Sequence, residues 1–281
     1  MLTRRTGILS SLAALAPGPA RGEPASVWSK DMHSRARLLI AGAQPGAVAR
    51  QAGIEITLDP GFKTYWRNPG DAGVPPVFDF SKSRNVKTVT VSYPAPAAFS
   101  DGGPGLSYGY KERVIFPLHI ELESPGPAHL ACALDYAVCD KICIPAKAAL
   151  SLAMPAGGKA DFDDELAAAR ARVPLAATPG ASVRGLSIEA IAWADRLEKS
   201  IKVQAACPAS PAPALFADAP ALWAFETRDF MPHAGGGVFT VAIVDRPKGI
   251  APLPPVFSLT LVSGETAIEV QTSLEAVKPR L

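Results

Sequence analysis

Four cysteines, Cys132, Cys139, Cys143 and Cys207, are the residues in this sequence best suited to chemistry. Cys139 and Cys143 are separated only by Asp140, Lys141 and Ile142, and Pro145 follows shortly after. In an oxidising compartment a thiol is bridged, buried, metal-bound or in redox use. A structural staple is the plainest reading of the close pair. Closing a ring of about five residues removes little unfolded-state entropy, worth about 2 kcal/mol before strain is subtracted. With 48% hydrophobic residues the chain can bury a core without that help. Tight local disulfides are also more often strained and therefore reducible. The spacing thus tilts towards a redox pair, with a staple and a metal site as rivals.

The metal reading has thin support. None of His33, His119, His129 and His233 stands at zinc-finger spacing from the cysteines. Copper held by two thiolates with His129 or a methionine stays open. Neither a His-Glu-x-x-His nor a Cys-x-x-Cys-His motif occurs, and no cofactor is expected. A hydrolase nucleophile elbow is not expected either. Cys132 shares a strand face with Leu130 and Leu134, and Cys207 shares one with Ile201 and Val203. Both read as buried core thiols. A Cys132–Cys207 bridge between domains is the alternative.

These cysteines must be positioned by strands. Ile54, Ile56 and Leu58 alternate with Glu55 and Thr57, and residues 86–93, 114–122 and 129–136 continue the pattern. Twenty-eight prolines and 23 glycines spread along the chain supply frequent turns, which suits antiparallel sandwiches. Asn68-Pro69-Gly70-Asp71 has the residues of a type II turn. One helix is expected over Asp161–Val173, capped by Asp161 with acidic residues in its first turn. Strands resume with Ile201, Val203 and Ala205, then over 238–244 and 257–262. Gly235-Gly236-Gly237 reads as a flexible turn. The expected organisation is a signal over 1–25, a β-sandwich over 26–155, a helical linker over 156–183 and a second sandwich over 184–281.

Arg4, Arg5 and the apolar stretch from Ile8 to Ala16, followed by Gly18-Pro19-Ala20, read as an export signal, by either the general secretory or the twin-arginine route. The net charge is +2, and two of those positives lie in that signal, so no nucleic-acid partner is expected. No later stretch reaches the ~20 apolar residues of a membrane span. After cleavage the protein should be soluble.

Three ordered blocks carry a family resemblance. The segment Leu134-Asp135-Tyr136-Ala137-Val138-Cys139-Asp140-Lys141-Ile142-Cys143-Ile144-Pro145-Ala146 resembles the cysteine loop of the N-terminal domain of DsbD- and ScsB-type thiol:disulfide interchange proteins. Residues 61–73, from Gly61-Phe62 to Ala72-Gly73, form a second block. Tyr93-Pro94-Ala95-Pro96, Gly109-Tyr110 and Val114 to Leu118 form a third. A looser likeness reaches Leu215-Phe216-Ala217-Asp218. The resemblance implies an immunoglobulin-like periplasmic domain that relays electrons by thiol–disulfide exchange. Cys139 and Cys143 match the family's redox pair, and Tyr65 matches an aromatic position lining it. The family's shielding loop falls on 103–108, where Leu106 and Tyr108 are the candidates for the shield. The family's membrane and thioredoxin-like domains are missing from these 281 residues. The implied electron donor is therefore a separate membrane-embedded DsbD/CcdA-like reductase, and the implied acceptors are periplasmic thioredoxin-fold or other disulfide proteins.

Within that frame, Lys141 is the nearest cation to the pair and Asp140 opposes it. Thiolate activation should be weaker than at a helix N-terminus. Selectivity should come from shielding by Tyr65 and Tyr108. Cys143 is the expected exchanging residue, because Pro145 fixes its own φ and pushes Ile144 into an extended form that a partner chain can approach. Cys139 is then the resolving thiol.

Overall fold

The computed structural model describes residues 24–70, 73–100, 105–219, 223–245 and 256–273. All but the last two residues of the expected export signal lie outside these. The first strands are β1 (Ser29–Asp31), β2 (Ser34–Ile40), β3 (Ala49–Leu58), β4 (Lys63–Gly70), β5 (Val77–Asp79) and β6 (Thr88–Val91). They are followed by β7 (Ala97–Ser100), β8 (Leu106–Lys111), β9 (Arg113–Glu121), β10 (Ala128–Cys139) and β11 (Cys143–Met154). One sheet runs β1-β2-β3-β9-β6, and the facing sheet runs β11-β10-β4-β8-β7, with β5 added beside β10. Alternation decides which side chains meet between them, since successive residues of a strand point to opposite faces. Leu38, Ile54, Ile56 and Phe116 from one sheet pack on Trp66, Leu130, Leu134 and Leu150 from the other, all almost fully buried.

Helix α1 (Asp163–Ala171) is shorter than expected, and Asp161 does not cap it. The N-cap is Phe162, with no side-chain bond, and Asp163 instead accepts a hydrogen bond from the Gly42 amide at 2.8 Å. Leu166 and Ala169 are buried against Leu39 and Ile115 on the outer face of the first sheet. The helix is thus packed onto the first sandwich. It contains no stretch able to cross a membrane, nor does any other described helix.

The second sandwich comprises β12 (Leu175–Ala177), β13 (Ser187–Trp193), β14 (Ser200–Ala206), β15 (Ala214–Asp218), β16 (Ala224–His233), β17 (Gly236–Asp245), β18 (Val256–Ser263) and β19 (Thr266–Ser273). Its sheets run β12-β19-β18-β15 and β13-β14-β17-β16. Ile201, Val203 and Ala205 face Leu259 and Leu261 across its core. The triple glycine is a turn only at Gly235. Gly236 and Gly237 belong to β17, where a Cβ on Gly236 would lie 2.0 Å from the Ala205 carbonyl oxygen.

The two sandwiches touch through β4 and β15. Phe216, on β15, enters the first core. It meets Trp66 edge-on at 5.9 Å and Tyr108 at 5.0 Å. Beside it Arg67 pairs with Asp218 at 2.7 Å and with Glu269.

Candidate functional site

Strands β10 and β11 form a hairpin whose register places Cys139 directly opposite Cys143, with Asp140-Lys141-Ile142 as its loop. Their Cα atoms are 4.3 Å apart and the two sulfurs are bonded. Parity along β10 sets the surroundings. Leu130, Cys132, Leu134 and Tyr136 point into the core, while Cys139 belongs to a separate cluster with Tyr65 and Ala137. The two cysteines are unequally accessible: Cys139 is 4% exposed, whereas Cys143 is open to solvent.

Tyr65 is 1% exposed, and its hydroxyl stands 2.9 Å from Cys143 Sγ. A disulfide sulfur carries no hydrogen, so the hydroxyl is the donor. Two features seat the ring. The neighbouring Thr64 hydroxyl donates to the Ala137 carbonyl at 2.9 Å, tying β4 to β10. Gly73 has a φ of 131°, and a Cβ there would lie 2.2 Å from the Tyr65 ring. Only glycine combines that backbone with that proximity.

A groove of about 330 Å³ opens beside Cys143, walled by Val74, Pro75, Val77, Ala137, Pro145 and Ala146. An Asp135–Lys147 ion pair of 2.9 Å, well exposed to solvent, flanks it. Val74 and Val77, 53% and 58% exposed, line the groove beside the exposed sulfur, and Ile142, 76% exposed, precedes Cys143 in the loop. Pro145 sits on β11, the edge strand of its sheet, where the lack of an N–H is tolerated.

The structure brings Cys139, Cys143, Tyr65 and Pro145 together and leaves Lys141 exposed at the loop tip. Leu106 and Tyr108 are placed differently. Gly109 is the register partner of Tyr65, so Tyr108 points to the opposite face and packs on Phe216, while Leu106 packs against the same core. Gly103 and Pro104 of the expected shielding loop lie outside the described residues. Sequence reading overlooked Lys63. It is the register partner of Cys139, is 4% exposed, and has its Nζ 5.9 Å from the Phe99 ring, which Lys111 also faces at 4.8 Å. Its position two residues before Tyr65 was the available signal, because such residues share a strand face.

Cys132 and Cys207 are free and buried, so no bridge links them. Desolvation pushes the Cys132 thiol up to about 12. Among the described residues no three His, Cys, Asp or Glu side chains gather into a metal-holding group. The expected absence of a hydrolase elbow needs a correction at the level of spacing. Gly105-Leu106-Ser107-Tyr108-Gly109 does have Gly-x-Ser-x-Gly spacing. However, Ser107 is buried inside strand β8, not at a strand-to-helix turn.

Comparison with known proteins adds four findings. Residues 42–155 match the family described as thiol:disulfide interchange protein DsbD, N-terminal. The crystal structure of the N-terminal periplasmic domain of ScsB from Proteus mirabilis matches with a TM-score of 0.69 at 22% identity, covering 89% of this chain and 98% of that one. That likeness establishes a shared fold through both sandwiches. The DsbD N-terminal domain of Neisseria meningitidis in its reduced form matches at 13% identity over 42% of this chain and 83% of that one, with a TM-score of 0.25, too low to carry an argument. No curated protein matches the sequence.

Proposed function

We propose that this chain, whose residues 42–155 form a DsbD-type N-terminal domain, is a periplasmic thiol–disulfide oxidoreductase module working through Cys139 and Cys143. The observation that carries this reading is the asymmetry of the pair. One sulfur is buried, while the other is open to solvent, hydrogen-bonded by Tyr65 and set beside an apolar groove. Exchange needs one sulfur that a partner can reach and a second thiol that resolves the mixed disulfide.

In the reduced protein the Cys143 thiolate attacks one sulfur of a partner disulfide. The Cys143–partner bond forms, the partner's own bond breaks, and the departing thiolate takes up a proton. Cys139 then loses its proton and attacks Cys143 Sγ, closing the disulfide and releasing the partner's second thiol. Two electrons pass to the partner. A dithiol donor recharges the pair by the same steps in reverse. The donor is a membrane-embedded DsbD/CcdA-like reductase, and the acceptors are periplasmic disulfide proteins, including thioredoxin-fold ones. Ile142, Val74 and Val77 supply the apolar contact on which such partners settle. The redox unit is 26–155 with helix α1 docked on it, and the second sandwich, expected over 184–281, also takes in β12 at 175–177. Residues 1–25 direct export.

The test is to express Cys139→Ser and Cys143→Ser in the periplasm and run non-reducing gels. Mixed disulfides should accumulate with Cys139→Ser. Adducts formed only with Cys143→Ser would reverse the roles. No adducts with either variant would favour a structural staple.

A further inference from the structure

Strand β4 leaves its ladder immediately after the residue that touches Cys143. Tyr65 pairs with Gly109 and Gly70 with Ser107, so Trp66 to Pro69 stand opposite the single residue Tyr108. A bulge of this kind bends its strand and re-aims the side chains beside it. Here contacts with the second sandwich replace the missing ladder. Asn68 Nδ2 donates to the Ala217 carbonyl at 2.9 Å, and Gly70 N–H donates back to Asn68 Oδ1 at 3.1 Å. Arg67 Nε donates to the Asp218 carboxylate at 2.7 Å, and its other arm reaches Glu269. The Arg67 guanidinium also lies 4.5 Å above the Trp66 ring. Phe216, 2% exposed, is enclosed by Trp66 and Tyr108, the residues on the two sides of the bulge. Three successive residues of β15 therefore grip the three residues that follow Tyr65.

We propose that Phe216 and Asp218, in the second sandwich, are positioning residues for the redox pair: by clamping the bulge at 66–69 they seat Tyr65, and through its hydroxyl the Cys143 sulfur. The inference rests on Cys143 being the exchanging sulfur, and it gives the second sandwich a part in the site without a residue in it. The chemistry follows from the hydrogen bond. A hydroxyl donating to sulfur favours the thiolate once the pair is reduced. Loosening the clamp withdraws that donor and moves Cys143 ionisation to higher pH. The charged groups around the sulfur are Lys63 on β4, Asp140 and Lys141 in the loop, and the Asp135–Lys147 pair at the groove. All of them stay unchanged in the variants below.

The experiment uses the full chain, reduced, with iodoacetamide alkylation of Cys143 followed by peptide mass spectrometry across pH. Tyr65→Phe and Phe216→Ala should each shift the profile to higher pH and slow labelling at neutral pH roughly three- to tenfold, as expected for one hydrogen bond. The double variant should be no slower than either single one. Phe216→Leu, which keeps most of the bulk, should recover most of the rate. Leu166→Ala, which loosens α1 on the far sheet, should lower stability and leave the profile in place. Should Phe216→Ala fail to fold, Asp218→Asn, which removes one charge from the clamp, decides the matter by the direction of its shift. A wild-type profile in folded Phe216→Ala or Asp218→Asn alongside a shifted Tyr65→Phe overturns the proposal. An unshifted Tyr65→Phe, or an equal shift in Leu166→Ala, overturns it too. Because this readout uses a small reagent on purified protein, its failure is distinct from a failure to trap partners in the periplasm.

Discussion

Cys132 and Cys139 lie on the same strand, an odd seven positions apart, and their environments are opposite. The odd spacing sends one thiol between the sheets and the other to the outer face beneath Tyr65. Cys132 has aliphatic neighbours, and desolvation holds it protonated up to about 12. Cys139 has a covalent partner at the sheet's rim whose sulfur is reachable from solvent. The difference shows that strand parity and distance from the hairpin end decide which thiol lies in the core and which is bonded to a solvent-reachable sulfur. Cysteine content alone does not.

The sharpest way to break this comparison is to remove the reachable sulfur. Cys143→Ser should abolish reduction of a model protein disulfide by the reduced chain, whereas Cys132→Ala should leave the rate within about twofold and cost stability through a small cavity. Equal loss in both would mean that parity does not separate them.

The next effect concerns reactivity in the native state. With the protein reduced at pH 8, a thiol whose pKa is about 12 carries on the order of a thousandfold less thiolate than an ordinary one. Mass spectrometry of alkylated peptides should find Cys143 labelled and Cys132 unlabelled until the protein unfolds. The same shift has a stability consequence. Folding raises this pKa, so its stabilising contribution is complete below about pH 8.5, the unfolded value, and is lost as pH rises towards about 12. Cys132→Ala should flatten the alkaline fall in stability.

A smaller effect lies at Gly73. Substituting alanine forces a Cβ into the Tyr65 ring at a φ of 131°, which should cost about 1–3 kcal/mol and displace the hydroxyl from Cys143. Thermal unfolding measures the first part, and faster reduction of the bridge by a bulky thiol measures the second. The smallest effect belongs to the exposed Asp135–Lys147 pair. Lys147→Ala should change stability by less than about 0.5 kcal/mol, because exposed ion pairs gain little.

Much of this molecule is legible from periodicity. The inward set on β10 and the Ile201–Val203–Ala205 face can be read directly from the sequence, since alternation and burial coincide there. The disulfide pair follows from spacing and from the family likeness. Less legible is what depends on which strands become neighbours. Lys63 faces Cys139 only because β4 pairs with the end of β10. Tyr108 points into the core and not at the cysteines because Gly109 takes the place opposite Tyr65. Phe216 completes the first core from 150 residues downstream of Trp66, a distance over which no local pattern speaks. Asp161 fails as a cap although its residue type suits one, because Asp163 is drawn to the Gly42 amide and the helix begins later.

The central claim is that Cys143, and not Cys139, is the sulfur that partners meet. Its most direct test is to treat the oxidised, folded chain with excess glutathione, quench with N-ethylmaleimide, and map the mixed disulfide by peptide mass spectrometry. The account predicts glutathione on Cys143 with maleimide on Cys139. Glutathione on Cys139, or on neither residue unless the protein is first denatured, would contradict it.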